Sequence, residues 1–342
     1  MNNKRNRNIA IFATAFAMVV VVLGAFTRLT DAGLGCPDWP GCYGFMHIPT
    51  AQEHIEVANQ AFPEQPYQFE KAWPEMVHRY FAGTLGLIVL VLAFISWRNQ
   101  EKLAVKHSSF LLVLIIFQAA LGMWTVTMKL HPLIVMLHLM GGITTFSLLA
   151  SLAARYHYQF LSPISQVSVQ RIRKLVWIAL AVIVVQVALG GWTSANYAAM
   201  VCHDLPICQG NWLSDSDFIS GFQLWGREAD TYEFGILDQN ARIAIHATHR
   251  IGAIVASATL LYLSFVLIKQ SGSQLLKKMG LGLVMLLLVQ VALGVINIVY
   301  KLPLANAVAH NAGGALLVVT MTVLLTLVLM PSSHQQEVSQ ND

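Results

Sequence analysis

The sequence predicts an all-α integral membrane protein: eight transmembrane helices forming two tandem, pseudo-symmetric four-helix bundles. Three observations carry this. Of the 342 residues, 56% are hydrophobic and only 11% charged, against roughly 25% charged in soluble domains. Eight apolar runs reach the length of about 20 residues that spans a bilayer as a helix. The order of polar residues in the first half of the chain returns in the second.

The first span falls at 9–28, behind the basic segment Met1–Asn8. In outline it resembles a signal peptide. Thr27-Arg28-Leu29-Thr30 offers no small-x-small cleavage site, however, and a matching span opens the second half, so it is read as retained. A long loop, about 29–73, leads to spans at 75–97, 109–128 and 132–154. The link Arg155–Arg173 joins the halves. A span at 174–195, a second long loop at 196–241, and spans at 243–268, 279–299 and 305–329 repeat the same order. Within the first loop, Gln52–Phe69 is helical in part (His54, Ile55, Val57, Ala58) and is a candidate lid. The expected division is 1–165 and 166–330, with a polar tail, 331–342, expected to be disordered.

Charge sets the orientation. Lys4, Arg5 and Arg7; Arg98, Lys102 and Lys106; Arg155, Arg171, Arg173 and Lys174; and Lys269, Lys277 and Lys278 all fall on one side of the spans. The positive-inside bias makes that side cytoplasmic, with both termini, and turns the long loops outward. Basic residues distributed between apolar runs form no nucleic-acid face. An even number of spans per half gives both halves one orientation, related by a pseudo-two-fold axis along the membrane normal.

The repeated polar residues are histidine-centred. Glu75-x-x-His78-Arg79, Gln118-Ala119-Ala120-Leu121-Gly122 and His138-x-x-Gly141-Gly142 return as His246-x-x-His249-Arg250, Gln290-Val291-Ala292-Leu293-Gly294 and His310-x-x-Gly313-Gly314. Polar groups inside a bilayer are costly and mark function. His78 and His138 fall at a similar depth near the outer face, as do His249 and His310, and two imidazoles at one depth on facing helices can ligate one heme iron from both sides. The glycine pairs, one turn deeper on the histidine face, either clear room for a porphyrin or allow close helix packing. Arg79 and Arg250 either pair with heme propionates or snorkel to the interface. Zinc fits less well, since it takes four ligands or three plus water.

Cys36, Cys42, Cys202 and Cys208 are the four cysteines, equally spaced in the two outward loops. An oxidising exterior favours the disulfides Cys36–Cys42 and Cys202–Cys208. They act either as staples over the pockets or as redox-active pairs; the absence of a Cys-x-x-Cys form favours staples.

With these elements in place, the chain resembles the heme A synthase family, membrane enzymes that oxidise heme O to heme A. The likeness covers nearly the whole chain. It rests on Glu75-x-x-His78-Arg79, the four histidines, the loop Gly35-Cys36-Pro37-Asp38-Trp39-Pro40-Gly41-Cys42, and the duplicated halves. The resemblance implies a resident heme b on His249 and His310 and substrate heme O on His78 and His138, with Glu75 the catalytic carboxylate. It also implies successive hydroxylation of a porphyrin methyl group to a formyl group, with electrons passed to an acceptor. A heme O synthase would lie upstream and cytochrome oxidase assembly downstream, in the cell inner membrane and its lipid. The residues agree: Glu75 lies one turn from His78 on the same face, and its counterpart His246 is a weaker proton acceptor.

Two other classes compete. A di-heme b-type cytochrome would bind both hemes and modify neither, but such hemes are stacked at two depths across the bilayer, whereas these four histidines share one face. A parallel-repeat transporter would place its site near the midplane, where Gln118, Gln186, Gln290 and Asn297 are the few polar residues.

Overall fold

The computed structural model describes residues 2–100, 102–158 and 166–330; the polar tail 331–342 and the centre of the link between the halves lie outside the described residues. Eleven helices run in the order α1 (Asn2–Leu29), α2 (Gln52–Ala61), α3 (Phe69–Asn99), α4 (Lys102–Thr127), α5 (Pro132–Tyr158), α6 (Gln166–Ala195), α7 (Trp212–Asp215), α8 (Phe218–Gly221), α9 (Gln239–Gln270), α10 (Gln274–Val299) and α11 (Leu304–Leu329) among the described residues. Eight of them, all but α2, α7 and α8, are long and apolar enough to cross a membrane. Helices are the expected form, because lipid offers no hydrogen bonds to an open backbone.

The helices overrun the apolar stretches. α3 starts at Phe69 and α9 at Gln239, ahead of the expected 75 and 243. Apolarity marks where lipid is met, whereas a helix starts where its first N–H groups find a cap. Asp238 supplies one for α9, accepting from Ala241 N at 2.9 Å. Glu75 and His246 therefore sit about two turns into their helices, the seventh and eighth residues of α3 and α9, with helix before them to carry loop contacts.

The short links are alike in the two halves. Lys129 and Leu130 (φ 48° and 64°) and Lys301 and Leu302 (φ 55° and 62°) make the same left-handed two-residue reversal. That conformation is strained for residues with a Cβ. It is held by Leu130 N donating to Thr125 O (2.8 Å) and Leu302 N to Asn297 O (2.7 Å).

Packing closes each half on itself. α1, α3, α4 and α5 form one ring of neighbours, and α6, α9, α10 and α11 the other. The halves meet through α5 against α11, α1 against α11 and α5 against α6, the pairing that a two-fold relation between them requires. Leu149 and Leu152 of α5 and Met321 and Leu324 of α11 are fully enclosed there, and Ser151 and Thr326 share a hydrogen bond of 2.7 Å across the seam. The opposite faces present Leu87, Val91, Phe94, Val113, Ile116, Val255 and Phe265 outward, an apolar surface suited to lipid tails.

Candidate functional site

α1, α3, α4 and α5 line an open-sided cavity of about 840 Å³, bordered by Glu75, His78, Arg79 and His138 and by Trp39, Pro40 and Met46 of the first cysteine loop. α3 brings in His78 and α5 brings in His138. Their rings stand perpendicular (90°) with centroids 6.3 Å apart. Each ring packs over a glycine of the preceding span: a Cβ on Gly24 would lie 2.9 Å from His78 Cε1, and one on Gly122 would lie 3.2 Å from His138 Cε1. The second half repeats this, with His249 over Gly190 (3.1 Å) and His310 over Gly294 (3.2 Å). His249 and His310 are close enough to interact electrostatically.

The residues fit a flat, bis-imidazole-ligated group. A metal–imidazole bond is about 2 Å, so two such bonds plus two half-rings span a centroid separation like the one seen. The Nδ1 atoms of His78 and His310 are buried without hydrogen-bond partners, an arrangement that costs stability unless a ligand or a polar group uses the ring. Among the described residues no three His, Cys, Asp or Glu converge, so the donor sets are pairs, which suits axial ligation and not a tetrahedral ion.

Three glutamines tether histidines. Gln118 Nε2 meets His138 Nδ1 at 3.1 Å and donates to the His138 carbonyl. Gln186 Nε2 meets His249 Nδ1 at 3.1 Å and the His249 carbonyl at 3.0 Å. Gln290 Nε2 lies 3.4 Å from His310 Nε2 and 3.0 Å from the His310 carbonyl. This decides what the glycine pairs do. A Cβ on Gly141 or Gly313 would sit 2.2 Å from the Oε1 of Gln118 or Gln290. Those glycines clear space for an amide, while Gly142 reaches the edge of the N-terminal cavity. Gly252 does the same for Gln186, again at 2.2 Å. The sequence mark of this third tether is Gln186-x-x-x-Gly190, the spacing of the other two; as a deep polar residue alone, Gln186 does not point to it.

The cysteine loops are bound to the helices through Arg79 and Arg250. Both disulfides are formed, with Cα–Cα distances of 4.8 Å. Arg79 Nη1 donates to the carbonyls of Asp38 (3.0 Å) and Gly41, and Nη2 to Glu75 Oε1 (2.5 Å). Glu75 Oε2 accepts from Cys36 N at 2.9 Å. The carboxylate thus pins the loop from below while bordering the cavity. Arg250 does more: Nη1 donates to the Asp204 and Ile207 carbonyls (2.5 Å each), Nη2 to Cys202 O (2.6 Å), and Nε to His246 Nε2 (3.1 Å). At 6% exposure Arg250 does not snorkel. Sequence spacing left propionates or the interface open for these arginines; both bind loop carbonyls, which have no sequence signature. Gly35 is needed where the loop crosses α3, since a Cβ there would meet the Lys71 carbonyl at 2.3 Å. Tyr43 is held between Phe62 and Tyr67, edge-on to each. Burial, with Glu75, Tyr67 and Asp38 nearby, pushes its phenol up to about 12. α2 is present, but it packs behind this loop through Ala58; the loop itself covers the cavity.

The two histidine sites are neighbours. Gly191, Ser194 and Asn311 of the second half border the N-terminal cavity, and Asn311 is adjacent to His310. Across the same seam Arg28 donates to Ser194 O at 2.6 Å, and Lys71 pairs with Glu233 at 2.9 Å.

Comparison with known proteins agrees over nearly the full chain. The family model described as cytochrome oxidase assembly protein (COX15-CtaA) matches residues 7–322. The chain is 46% identical to the heme A synthase of Shewanella oneidensis over 94% of this chain and 96% of that protein. It is 26% identical to the heme A synthase of Flavobacterium psychrophilum (94% and 98% covered) and 25% identical to that of Shouchella clausii (97% and 99%).

Proposed function

The chain belongs to the cytochrome oxidase assembly family COX15-CtaA, and from that premise we infer that it is a heme A synthase, an integral membrane oxidoreductase that oxidises a porphyrin methyl group of heme O to the formyl group of heme A. The observation that carries the reading is the facing pair His78 and His138, 6.3 Å apart, in a cavity that Glu75 borders.

The N-terminal half would take heme O as substrate, its iron between His78 and His138, with the apolar walls excluding water. His249 and His310 would hold a resident heme b, which when bound supplies one-electron transfer between the substrate and an external acceptor. Contact of Gly191, Ser194 and Asn311 with the cavity supports a short path between the halves. Glu75 would accept a proton at a carboxylate oxygen as the methyl group is oxidised. Arg79 and the Cys36 N–H hold that carboxylate in place, as a pre-positioned base requires. Its counterpart in the second half is His246, so that half has no carboxylate at this position. The anchoring of each cysteine loop by an arginine supports the staple reading of the disulfides. The basic-residue bias supports cytoplasmic termini and periplasmic cysteine loops, and the neighbour pattern of the helices supports the pseudo-two-fold division at 165/166. A heme O synthase as donor and cytochrome oxidase as recipient follow from the substrate and product.

Purification, an optical spectrum and heme chromatography test this reading. The expected extract holds heme b together with heme O, its hydroxylated intermediates or heme A. Heme b alone, at two per chain, would make the protein an electron carrier.

A further inference from the structure

The histidine–glycine contact occurs four times, once in each pair of consecutive spans, but the glutamine tether occurs three times. Gln118, Gln186 and Gln290 each stand four residues before the glycine that underlies a histidine, and Gly141, Gly252 and Gly313 each follow a histidine by three. At the fourth site the glycine is Gly24 and the histidine is His78. The tether position there is Val20, and the position three after the histidine is Phe81. The amide and the glycine that makes room for it are thus replaced together, by two apolar side chains. Phe81 fills the space by stacking on Phe16, with centroids 5.5 Å apart and planes at 8°. His78 Nδ1 has no side-chain partner; in place of an amide, the ring meets the backbone carbonyl of Val20.

A tether of this kind has a defined effect. One amide bonded to both the backbone carbonyl and the ring of the same histidine fixes the ring's rotation about its side-chain bonds. A metal-ligating imidazole depends on such a partner for its orientation, and removing one costs about 10–100-fold in metal affinity. A glutamine amide serves in either sense, its NH2 donating to a bare ring nitrogen or its oxygen accepting from a ring N–H.

We propose that Gln118, Gln186 and Gln290 are positioning residues that lock three of the four heme-binding histidines, and that untethered His78 is the ligand that lets go. Resting on the synthase reading above, this gives the two sites different exchange behaviour. The C-terminal pair has a glutamine on each histidine, at Nδ1 of His249 (3.1 Å) and more loosely at Nε2 of His310 (3.4 Å), and retains its heme. The N-terminal pair is locked through His138 alone, so it admits heme O and releases heme A by making and breaking the His78 bond.

Two reciprocal variants of the full-length protein test this, with heme release to excess apomyoglobin and the low-spin electron paramagnetic resonance spectrum as readouts. Val20→Gln with Phe81→Gly builds the missing tether. It should slow release from the N-terminal site by about tenfold or more while leaving heme b content unchanged. Gln186→Leu removes a tether from the resident site. It should speed heme b loss by about tenfold and shift its low-spin signal, which reports the imidazole planes. Wild-type release kinetics in the first variant, or failure of its N-terminal site to bind heme while heme b is retained, would overturn the proposal, as would an unchanged spectrum and retention in the second. Wild-type protein that carries neither heme O nor heme A would instead overturn the synthase reading beneath it.

Discussion

Replacing Arg250 by lysine keeps the charge and removes the fork. In the structure the guanidinium serves four acceptors at once, the carbonyls of Cys202, Asp204 and Ile207 and the Nε2 of His246, at 2.5 to 3.1 Å. An ammonium presents its donors from a single point and would keep about two of these. Losing two charge-assisted bonds at about 1.5–3 kcal/mol each lowers the cost of opening the second cysteine loop by about 3–6 kcal/mol. Since about 1.4 kcal/mol is tenfold in an equilibrium, the loop amides should exchange at least a hundredfold faster, up to the rate of the free chain. Hydrogen exchange on the detergent-purified protein with its disulfide intact, followed over peptides spanning Val201–Gln209, measures this. Exchange within about threefold of the wild type, together with loss of heme b, would refute the strut argument and return Arg250 to the propionates.

Glu75→Gln should retain heme b and lose heme A formation, read by heme chromatography; a normal heme A yield would remove the carboxylate from the proton chemistry. Gly35→Ala places a Cβ 2.3 Å from the backbone of Lys71, where nothing flexible can yield. It should cost about 1–3 kcal/mol, as overpacking does, and lower the melting temperature, whereas Gly83→Ala, in open space, should not. Tyr43 carries a pH dependence. Its phenol titrates near 10 in the unfolded chain and near 12 when folded, so between these values the folded state holds the extra proton. The first cysteine loop should keep its full stability below pH 10 and lose it as the pH rises toward 12, a loss that Tyr43→Phe removes; proteolysis of the loop against pH is the measurement.

Much of the site was readable in one dimension because each residue type announces its own cost. Four histidines in apolar runs, each costly in lipid, marked the residues that meet in two facing pairs, and matched cysteine spacing marked both disulfides. What the sequence left open concerns groups whose partners carry no sequence signature. Arg79 and Arg250 bind backbone carbonyls of loops far along the chain. Gly141 and Gly313 face amides on a neighbouring helix, and only the packing of α4 on α5 and α10 on α11 says so. α2 was visible as a helix, but its docking through Ala58 against the cluster of Tyr43, away from the cavity, was not.

By itself the sequence determined the eight spans, the duplicated order and the two histidine pairs, because a bilayer forces apolar length and makes every polar exception informative. Tertiary structure alone decided which histidine lacks a tether and what covers the cavity. Those depend on where side chains from different helices meet: a valine at position 20 becomes informative only once the packing has set His78 over Gly24.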